Sequence, residues 1–461
     1  MKSAHRIHFY GLAFCLLFSC AAHAEDASAW PTWRGTSGAG VAPGATPPIT
    51  WSDTKNIKWK ASVPGYGFST PIVWKDQIFL LTAVEGVAAT AASDLAVAEA
   101  AAGQRAGGAR GGDRRGGGGG GFGGGPQPTK PYEFLVIALD HQTGAIRWQK
   151  TARKEIPHEG HHASHGYASA SPVTDGERLY VSFGSRGLFC YDLQGNLKWE
   201  KDLGDMRTRG GFGEGASPAL AGDVLIVNWD HEDQSFIVAL DKKTGAEVWR
   251  KERDERSSWS TPLIVEHEGR LQAIVSATNR TRSYDPRTGE VIWEAGGMTA
   301  NVIPTPVVGH GNVYLMSGFQ GRSIQAVKLS SRGDVTDTNN IVWSVRHSAP
   351  YVPSPVLSGD RLYMSKSNDA FLACLNAHTG ESFYQDQPLE GMRGIYASPI
   401  AANGYLYVVG REGMVMVLKD SSTFEVVATN ILDDRIDASP VMLGKELIIR
   451  GHKYVYCIAE P

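Results

Sequence analysis

The sequence predicts an all-β protein, an eight-bladed β-propeller of four-stranded antiparallel blades. A Ser/Thr-Pro phrase followed by apolar residues occurs eight times, and a second phrase, Asp-x-x-Thr-Gly-x-x-x-Trp, recurs between several of these copies. The prolines of the first phrase are Pro71, Pro172, Pro218, Pro262, Pro306, Pro355, Pro399 and Pro440. After a first interval of 101 residues, the intervals are 46, 44, 44, 49, 44 and 41 residues, which is the period of a propeller blade.

One copy shows the order of strands within a blade. Alternating apolar residues and Gly, Asn and Asp turns predict strand A at Ser171–Val173, strand B at Leu179–Phe183 and strand C at Leu188–Asp192. Strand D follows a tight turn and ends at Trp199. A helical period is absent from the repeats, so every copy is expected to be a small β-sheet.

The last copy ends without a fourth strand, and the first residues of the repeat region supply it. Residues Asn56–Gly65, "NIKWKASVPG", have the pattern of a strand D with its tryptophan. We therefore expect the start of the chain to complete the last blade, which closes the ring over residues 51–461 and leaves no open sheet edge.

Six tryptophans end the predicted D strands, and we expect them to pack between neighbouring blades. They are Trp59, Trp148, Trp199, Trp249, Trp293 and Trp343, with Tyr384 and Ala428 at the corresponding position of two other copies. A large flat ring buried at each junction contributes packing free energy, so these residues are interpreted as structural.

Three cysteines stand on predicted C strands, where other copies carry alanine. They are Cys190, Cys374 and Cys457. Because equivalent positions of different blades cannot approach one another, we expect buried free thiols rather than disulfides or metal ligands.

The first residues have the pattern of a secretion signal, residues 1–24. Lys2 and Arg6 precede the apolar stretch Gly11–Phe18, and Ala22-His23-Ala24 forms a small-x-small cleavage site. "LFSC" also resembles a lipobox, in which Cys20 would carry the lipid, and both processing routes remain open. An extension over residues 25–50 follows. The protein is expected to be exported, either periplasmic or associated with the outer membrane.

The net charge of the chain indicates which classes of binding partner are excluded. The formal net charge of −3 argues against nucleic acid, since domains that bind it usually carry a basic excess. We expect a monomer whose membrane contact is limited to a lipid on Cys20.

A low-complexity insert, residues 83–130, interrupts the first copy between strands B and C. Its Ala-rich part, Val87–Ala102, is compatible with a short helix, and its Gly-rich part has too little apolar surface to fold. A basic flap over the neighbouring loops and a tolerated insertion are both compatible with this composition.

The loops from strand D to the next strand A, and from strand B to strand C, emerge on one face of a propeller, called the funnel face here. Binding residues occur on such loops more often than within strands. The candidates are Arg207, Arg209, Glu214, Asp230, His231, Trp259, Arg280, Arg282, Asn301, Arg322, Tyr351, Arg393, Arg411, Arg435, Asp437 and His452. The guanidinium groups suit an anionic ligand, and internal ion pairs with neighbouring acids are the alternative.

A histidine-rich loop, "PHEGHHASHGY", lies between the first two blades. His158-Glu159-x-x-His162 matches the H-E-x-x-H pattern, but Gly160 interrupts the helical turn that a zinc peptidase requires. Two hypotheses remain: a divalent metal held by some of His158, His161, His162 and His165, or histidines hydrogen-bonded at the funnel rim.

The Asp-x-x-Thr-Gly-x-x-x-Trp phrase resembles the pyrroloquinoline quinone (PQQ) enzyme repeat. That family includes quinoprotein alcohol dehydrogenases and the propeller lipoprotein of the outer-membrane-protein assembly machinery. The resemblance covers the chain from about Trp51 to its end, and "WPTWRG" at Trp30–Gly35 resembles a stretch common in exported members. It implies the propeller fold, but not the cofactor, because the repeat faces the blade junctions.

The dehydrogenases of the family bind PQQ with Ca²⁺ and carry two adjacent cysteines at the cofactor. This sequence has no Cys-Cys pair. Glu214, Asn301 and Asp437 offer oxygen ligands and Trp259 a stacking surface. We therefore expect a non-catalytic module that binds an envelope protein or a small anionic or saccharide ligand. The alternatives are a PQQ-dependent oxidoreductase or a metal-dependent enzyme that uses the histidine loop.

Overall fold

The computed structural model describes residues 29–86 and 123–461, and it confirms the all-β, eight-bladed propeller. The predicted signal segment 1–24, with Cys20, and the predicted Ala-rich helix lie outside the described residues. The helical segments of the described ranges are two 3₁₀ turns, Gly184–Arg186 and Arg209–Gly211. Within those ranges, no helix has the length and apolar character needed to cross a bilayer.

Blades 1 to 4 take most of their strands from the first part of the chain. Blade 1 contains β1 (Ala29–Trp30), β3 (Ile72–Trp74), β4 (Gln77–Glu85), β5 (Tyr132–Asp140) and β6 (Ile146–Glu155). Blade 2 contains β7 (Val173–Thr174), β8 (Arg178–Ser182), β9 (Leu188–Asp192) and β10 (Leu197–Lys201). Blade 3 contains β11 (Ala219–Ala221), β12 (Val224–Trp229), β13 (Ser235–Asp241) and β14 (Glu247–Arg253). Blade 4 contains β15 (Leu263–His267), β16 (Arg270–Val275), β17 (Thr281–Tyr284), β18 (Val291–Ala295) and β22 (Gly333–Asp334).

The remaining blades complete the ring. Blade 5 contains β19 (Val307–Gly309), β20 (Asn312–Ser317), β21 (Ser323–Lys328) and β23 (Ile341–Val345). Blade 6 contains β24 (Val356–Ser358), β25 (Arg361–Ser365), β26 (Phe371–Asn376) and β27 (Ser382–Pro388). Blade 7 contains β28 (Ile400–Ala402), β29 (Tyr405–Val409), β30 (Met414–Lys419) and β31 (Val426–Ile431). Blade 8 contains β32 (Val441–Leu443), β33 (Glu446–Arg450), β34 (Tyr454–Ala459) and β2 (Ile57–Ser62).

The predicted closure of the ring is confirmed. β2 pairs antiparallel with β34, and Trp59 lies opposite Cys457 in this ladder. Several strand boundaries differ from the prediction: β8 covers Arg178–Ser182 rather than Leu179–Phe183, and β10 ends at Lys201 rather than Trp199. β7 begins at Val173 rather than Ser171, because the Ser171 N–H bonds to a side chain of the next blade. β4 continues to Glu85 and pairs with β5 there, so the sheet extends three residues into the predicted insert 83–130.

The strand D tryptophans join consecutive blades, as expected. In five of them the indole N–H donates to a main-chain carbonyl of the next blade at 2.8–3.1 Å. The acceptors are His141 for Trp59, Leu193 for Trp148, Lys242 for Trp199, Pro286 for Trp249 and Ala377 for Trp343. Each of these bonds satisfies the polar atom of a ring that is otherwise packed between two sheets.

Five turns between strands C and D end with a glycine whose surroundings explain why the repeat carries glycine at this position. Each of these glycines adopts a positive φ, and a Cβ atom there would meet the indole of the preceding blade within 2.9 Å. The pairs are Gly144 with Trp59, Gly195 with Trp148, Gly245 with Trp199, Gly289 with Trp249 and Gly380 with Trp343. Glycine is required here both for its backbone conformation and for the closeness of the ring.

Trp293 is the exception among the six. Its N–H donates to Gln272 Oε1 within its own blade at 3.0 Å, and Gln272 Nε2 donates to the Leu329 carbonyl of blade 5, also at 3.0 Å. The short strand β22 pairs in parallel with β18 beside this ring, which is 0% exposed. A side-chain amide therefore relays the contact that the other tryptophans make directly.

The small residues of strand C lie opposite these rings. Cys190 is paired with Trp199, Cys374 with Tyr384 and Cys457 with Trp59. The three thiols are free and buried, as predicted, and burial raises the pKa of Cys190 to about 11 and the pKa values of Cys374 and Cys457 to about 12. They are protonated at neutral pH and act as small apolar side chains.

The Ser/Thr residue before each repeat proline forms a second interblade contact, the Ser/Thr ring. Its members are Thr70, Ser171, Ser217, Thr261, Thr305, Ser354, Ser398 and Ser439. In seven steps around the ring, a main-chain N–H donates to the hydroxyl oxygen of the next blade at 2.8–3.2 Å. At the remaining step, Thr305 Oγ1 donates to the Thr261 carbonyl at 3.4 Å. The spacing of the Ser/Thr-Pro phrase predicted the number of blades. The structure shows in addition that the Ser/Thr hydroxyl accepts a hydrogen bond from the neighbouring blade.

Residues 29–50 form a strap that enters the central channel. β1 pairs with β3 of blade 1, and the Pro31 carbonyl accepts a hydrogen bond from Thr174 of blade 2. The buried Arg34 guanidinium donates to the carbonyls of Pro355 and Pro399 in blades 6 and 7, at 2.5 and 2.8 Å. The strap then bonds to Ala401 and leaves towards β2. It crosses the channel and links opposite sides of the ring.

Replacing Gly289 by alanine tests the glycine–indole contact. The added methyl group meets the Trp249 ring at 2.6 Å, which we expect to cost about 1–3 kcal/mol of stability beyond the backbone strain of a positive φ. Gly269→Ala is the matched control, because Gly269 has nearly the same φ (+73° against +71°) and no heavy atom within 4 Å of its Cβ position. Equal unfolding midpoints for the two variants would contradict the junction model.

Candidate functional site

A cavity of about 410 Å³ opens at the centre of the funnel face and is called the central pocket here. Its walls come from D-to-A loops, from two B-to-C loops and from the Ser/Thr ring, while Trp33 of the strap lies beneath them. The volume and the mixed apolar and polar lining are typical of a small-molecule site. The strap thus converts an open channel into a pocket with a floor.

Aromatic side chains supply most of the apolar wall. They are Trp33, Phe68, Phe212, Trp259, Phe319, Tyr351 and Tyr396. Phe319 stacks on Tyr351 with 4.9 Å between ring centroids, and Trp259 is fixed by a 2.7 Å hydrogen bond from its Nε1 to the Gly213 carbonyl. Contacts within the protein therefore fix the orientations of Phe319, Tyr351 and Trp259.

The Ser/Thr ring provides hydrogen-bond donors inside the same cavity. All eight members line the central pocket. Seven of their hydroxyl oxygens accept a main-chain N–H, and their hydroxyl protons have no acceptor among the described protein atoms. The pocket therefore combines aromatic surfaces with a circle of available O–H donors.

Asp437 is the carboxylate of the pocket, and two guanidinium groups and one imidazole surround it. Arg411 Nε lies 2.5 Å from Oδ1, while Arg435 Nε and His452 Nε2 lie 3.2 and 2.9 Å from Oδ2. The Arg411 guanidinium also stacks 3.7 Å above the Tyr396 ring. The side chain of Asp437 is 2% exposed, so its oxygens are committed to these partners.

The histidine loop contributes two of its four candidate residues to the pocket, His162 and His165. Burial first, and then the neighbouring His161, lower the pKa of His165 to about 4. His165 Nδ1 is buried without a hydrogen-bond partner among the described residues. This imidazole is therefore neutral at neutral pH.

The loop does not assemble the predicted metal site. Arg186 donates to His158 Nδ1 at 2.6 Å, which leaves His158 Nε2–H to donate to the Met206 carbonyl, also at 2.6 Å. His158, Glu159 and Glu214 come close together, but the Arg186 guanidinium lies against His158 as the cation of this group. Within the loop, His161 Nδ1 lies 2.9 Å from the His162 carbonyl and His162 Nδ1 lies 2.8 Å from Ser164 Oγ.

Most candidate arginines form internal pairs. Arg207 contacts Asp233 at 2.6 Å, Arg280 contacts Asp334 at 3.1 Å, and Arg209 donates to Asn301 at 3.1 Å. Arg282 binds three carboxylates, those of Asp254, Glu255 and Glu294. Arg322 and Arg393 are exposed and form no ion pair within residues 29–86 and 123–461.

Two further candidates are structural. Asp230 forms a fully buried ion pair with Arg253 at 2.7 Å, and the Arg253 guanidinium also bonds to Tyr284. His231 Nδ1 accepts the Arg207 N–H at 3.2 Å and its Nε2 lies 3.1 Å from the Gln234 carbonyl. Both side chains hold loops of blade 3 and neither lines the central pocket.

The sixteen funnel candidates and the pocket overlap in part. Trp259, Tyr351 and Asp437 line the cavity, whereas Glu214 faces a separate space of about 30 Å³. The sequence analysis did not select Trp33, Phe68, Phe212, Phe319 or Tyr396. Trp33 stands in the stretch Trp30–Gly35, and Phe212, Phe319 and Tyr396 stand in predicted funnel-face loops. The aromatic residues of these loops were the available signal, but most of the residues chosen for the prediction were charged.

The donors proposed for a Ca²⁺–quinone centre do not fit that role. Glu214 accepts two hydrogen bonds from Ser185, each 2.6 Å long, and burial raises its pKa. Asn301 Oδ1 accepts from Arg209, and Asp437 contacts Arg411, Arg435 and His452. Because Ca²⁺ needs six to eight oxygen ligands, these engaged groups do not form its cage.

We expect purified protein incubated with PQQ and Ca²⁺ to lose the quinone on desalting and to reduce no dye with alcohols or sugars. The reason is that each candidate Ca²⁺ ligand already has protein donors. Absorbance spectroscopy after gel filtration measures retention. A quinone spectrum that elutes with the protein would contradict this expectation.

The neutral His165 predicts a specific pH dependence. Its pKa is about 4 in the folded chain and 6.5 in the unfolded one, so protons bind preferentially to the unfolded state between these values. Stability conferred by the neutral imidazole is therefore lost as the pH falls from about 6.5 towards 4. His165→Gln should have a smaller loss of melting temperature over this range. Titration of the His165 NMR signal near pH 6.5 would contradict the assignment.

Comparisons with known proteins place the chain in a family. The family profile described as outer membrane protein assembly factor BamB matches residues 133–386, more than half of the chain. No curated protein matches. Among solved structures, BamB from Moraxella catarrhalis is 16% identical with a TM-score of 0.52, and the match covers 71% of this chain and 93% of that one.

Two dehydrogenases share the fold more extensively. A europium-containing methanol dehydrogenase is 10% identical with a TM-score of 0.58, over 92% of this chain and 89% of that one. Quinohemoprotein alcohol dehydrogenase ADHIIG from Pseudomonas putida HK5 is 9% identical with a TM-score of 0.57, over 94% of this chain and 82% of that one. At such identities the likeness concerns the fold alone. The repeat, the eight blades and the profile match together show that this chain belongs to the BamB-type family of PQQ-like propellers.

Proposed function

We propose that this chain is an exported, non-catalytic binding propeller of the cell envelope and that its central pocket binds a neutral saccharide. The observation that carries the proposal is the combination of aromatic walls with the donor hydroxyls of the Ser/Thr ring. Sugars present apolar C–H faces that stack on aromatic rings and hydroxyl oxygens that accept hydrogen bonds. The pocket offers both complements in one cavity.

The charges around the pocket favour a neutral ligand over an anion. The guanidinium groups of Arg411 and Arg435 lie beside the cavity, and both are held by Asp437, which His452 also contacts. An anionic ligand would have to compete with a nearly buried carboxylate for them, and removing one partner of such a cluster is costly. The pairing of Arg207, Arg280 and Arg282 with acids extends this neutralisation over the funnel face.

The binding role also agrees with the state of the acid–base groups in the cavity. Asp437 is engaged by cations, and His165 is neutral with a pKa of about 4. A general base works best when its pKa lies near the working pH and its atoms can reach the substrate. Membership of the BamB-type family supports a scaffold or protein-binding role in the envelope, and a protein partner on the funnel face is the competing hypothesis.

Calorimetric titration with neutral mono- and disaccharides, and with the matching uronic acids, tests the ligand class. We expect binding of a neutral sugar that weakens about tenfold in Tyr351→Ala, since one aromatic stacking contact is worth about 1 kcal/mol or slightly more. Phe383→Ala is the control, because this exposed ring stands on the outer strand β27, away from the pocket.

Two results would overturn the proposal. One is the absence of binding by every sugar tested. The other is efficient cross-linking of an envelope protein by a photoreactive residue at position 351, with none from position 383, which would assign the pocket to a protein partner instead.

A further inference from the structure

A cluster of two histidines and one aspartate lies on the face opposite the funnel, where the A-to-B and C-to-D turns emerge. His310 follows β19 of blade 5, Asp360 follows β24 of blade 6, and His378 lies in the turn between β26 and β27 of blade 6. The three residues therefore come from two blades and are brought together only by the ring. None of them belongs to the central pocket.

The three side chains converge on one point. His378 Nε2 lies 3.0 Å and His310 Nε2 lies 3.4 Å from the same oxygen, Asp360 Oδ1. The two imidazole rings have centroids 4.2 Å apart. One ligand atom from each residue lies within 4.8 Å of the others, so small side-chain rotations suffice to place all three around one ion.

The electrostatic setting differs from that of the other His/carboxylate cluster. At His158 the Arg186 guanidinium already supplies a positive charge. At Asp360, the ion-pair partners within the described ranges are the two histidines themselves. The side chains are 28%, 61% and 51% exposed, in chain order, so an ion and its water ligands have access.

We propose that His310, Asp360 and His378 form a binding site for Zn²⁺ or a similar divalent transition-metal ion. Two imidazole nitrogens and one carboxylate oxygen suit such ions, and water completes a four-coordinate shell. Binding would replace the hydrogen bond between His378 and Asp360, and the one between His310 Nε2 and the Gly359 carbonyl, with metal–ligand bonds. Because His310 belongs to blade 5 and the other two residues to blade 6, the ion would link these blades.

Isothermal titration of the tag-free mature protein with Zn²⁺, together with thermal unfolding in the presence and absence of Zn²⁺, tests the site. We expect a one-to-one complex and a higher melting temperature with the ion, since binding to the folded state stabilises it. His310→Gln and His378→Gln should each weaken Zn²⁺ binding by about tenfold or more. Asp360→Asn, which keeps the shape of the side chain, should also weaken it.

His267→Gln is the matched control. His267 lies at the same end of blade 4, with its Nε2 3.9 Å from Glu268, and it does not belong to the His310–Asp360–His378 group. This variant should keep the Zn²⁺ affinity of the unaltered protein. Melting temperatures measured with a chelator show that each variant is folded. Absence of a one-to-one complex, or equal affinity of the His310→Gln and His267→Gln variants, would overturn the proposal.

Discussion

The contact between a turn glycine of one blade and the tryptophan ring of the preceding blade sets the geometry of the propeller. The ring is buried against the next sheet, its N–H is satisfied by a carbonyl of that sheet, and the glycine admits it without a Cβ clash. One phrase therefore specifies a turn, a packing surface and a hydrogen bond. The same contact occurs at five of the eight junctions and helps to set the angle between blades. At the junction of blades 4 and 5, where no turn glycine contacts Trp293, the Gln272 side chain links the two blades.

The junctions leave recognition to the inner ends of the blades. There the Ser/Thr ring performs two tasks, because seven of its eight hydroxyl oxygens accept an N–H from a neighbouring blade while their protons have no protein acceptor among the described residues. The same side chains that close the circle thus also furnish the pocket. The pocket therefore has hydrogen-bond donors even though most charged residues of the funnel face are paired with one another.

The fold could be predicted from the sequence because its signals are local and periodic: the turn, the ring position and the missing strand at Trp59 can all be found by counting. The pocket could not. The sequence shows that Arg282 is charged, but not that Asp254, Glu255 and Glu294 surround it. Trp33 becomes a floor only through neighbours brought from distant blades, so no spacing in the sequence identifies it.

The strap makes the order of assembly matter. Arg34 is among the first residues of the described chain, yet its carbonyl partners stand 321 and 365 positions later. During synthesis, the strap is therefore made long before blades 6 and 7, whose carbonyl groups bind Arg34. Under the proposed function, a ligand can bind only after the final repeats have been made, so a truncated chain is expected not to bind it.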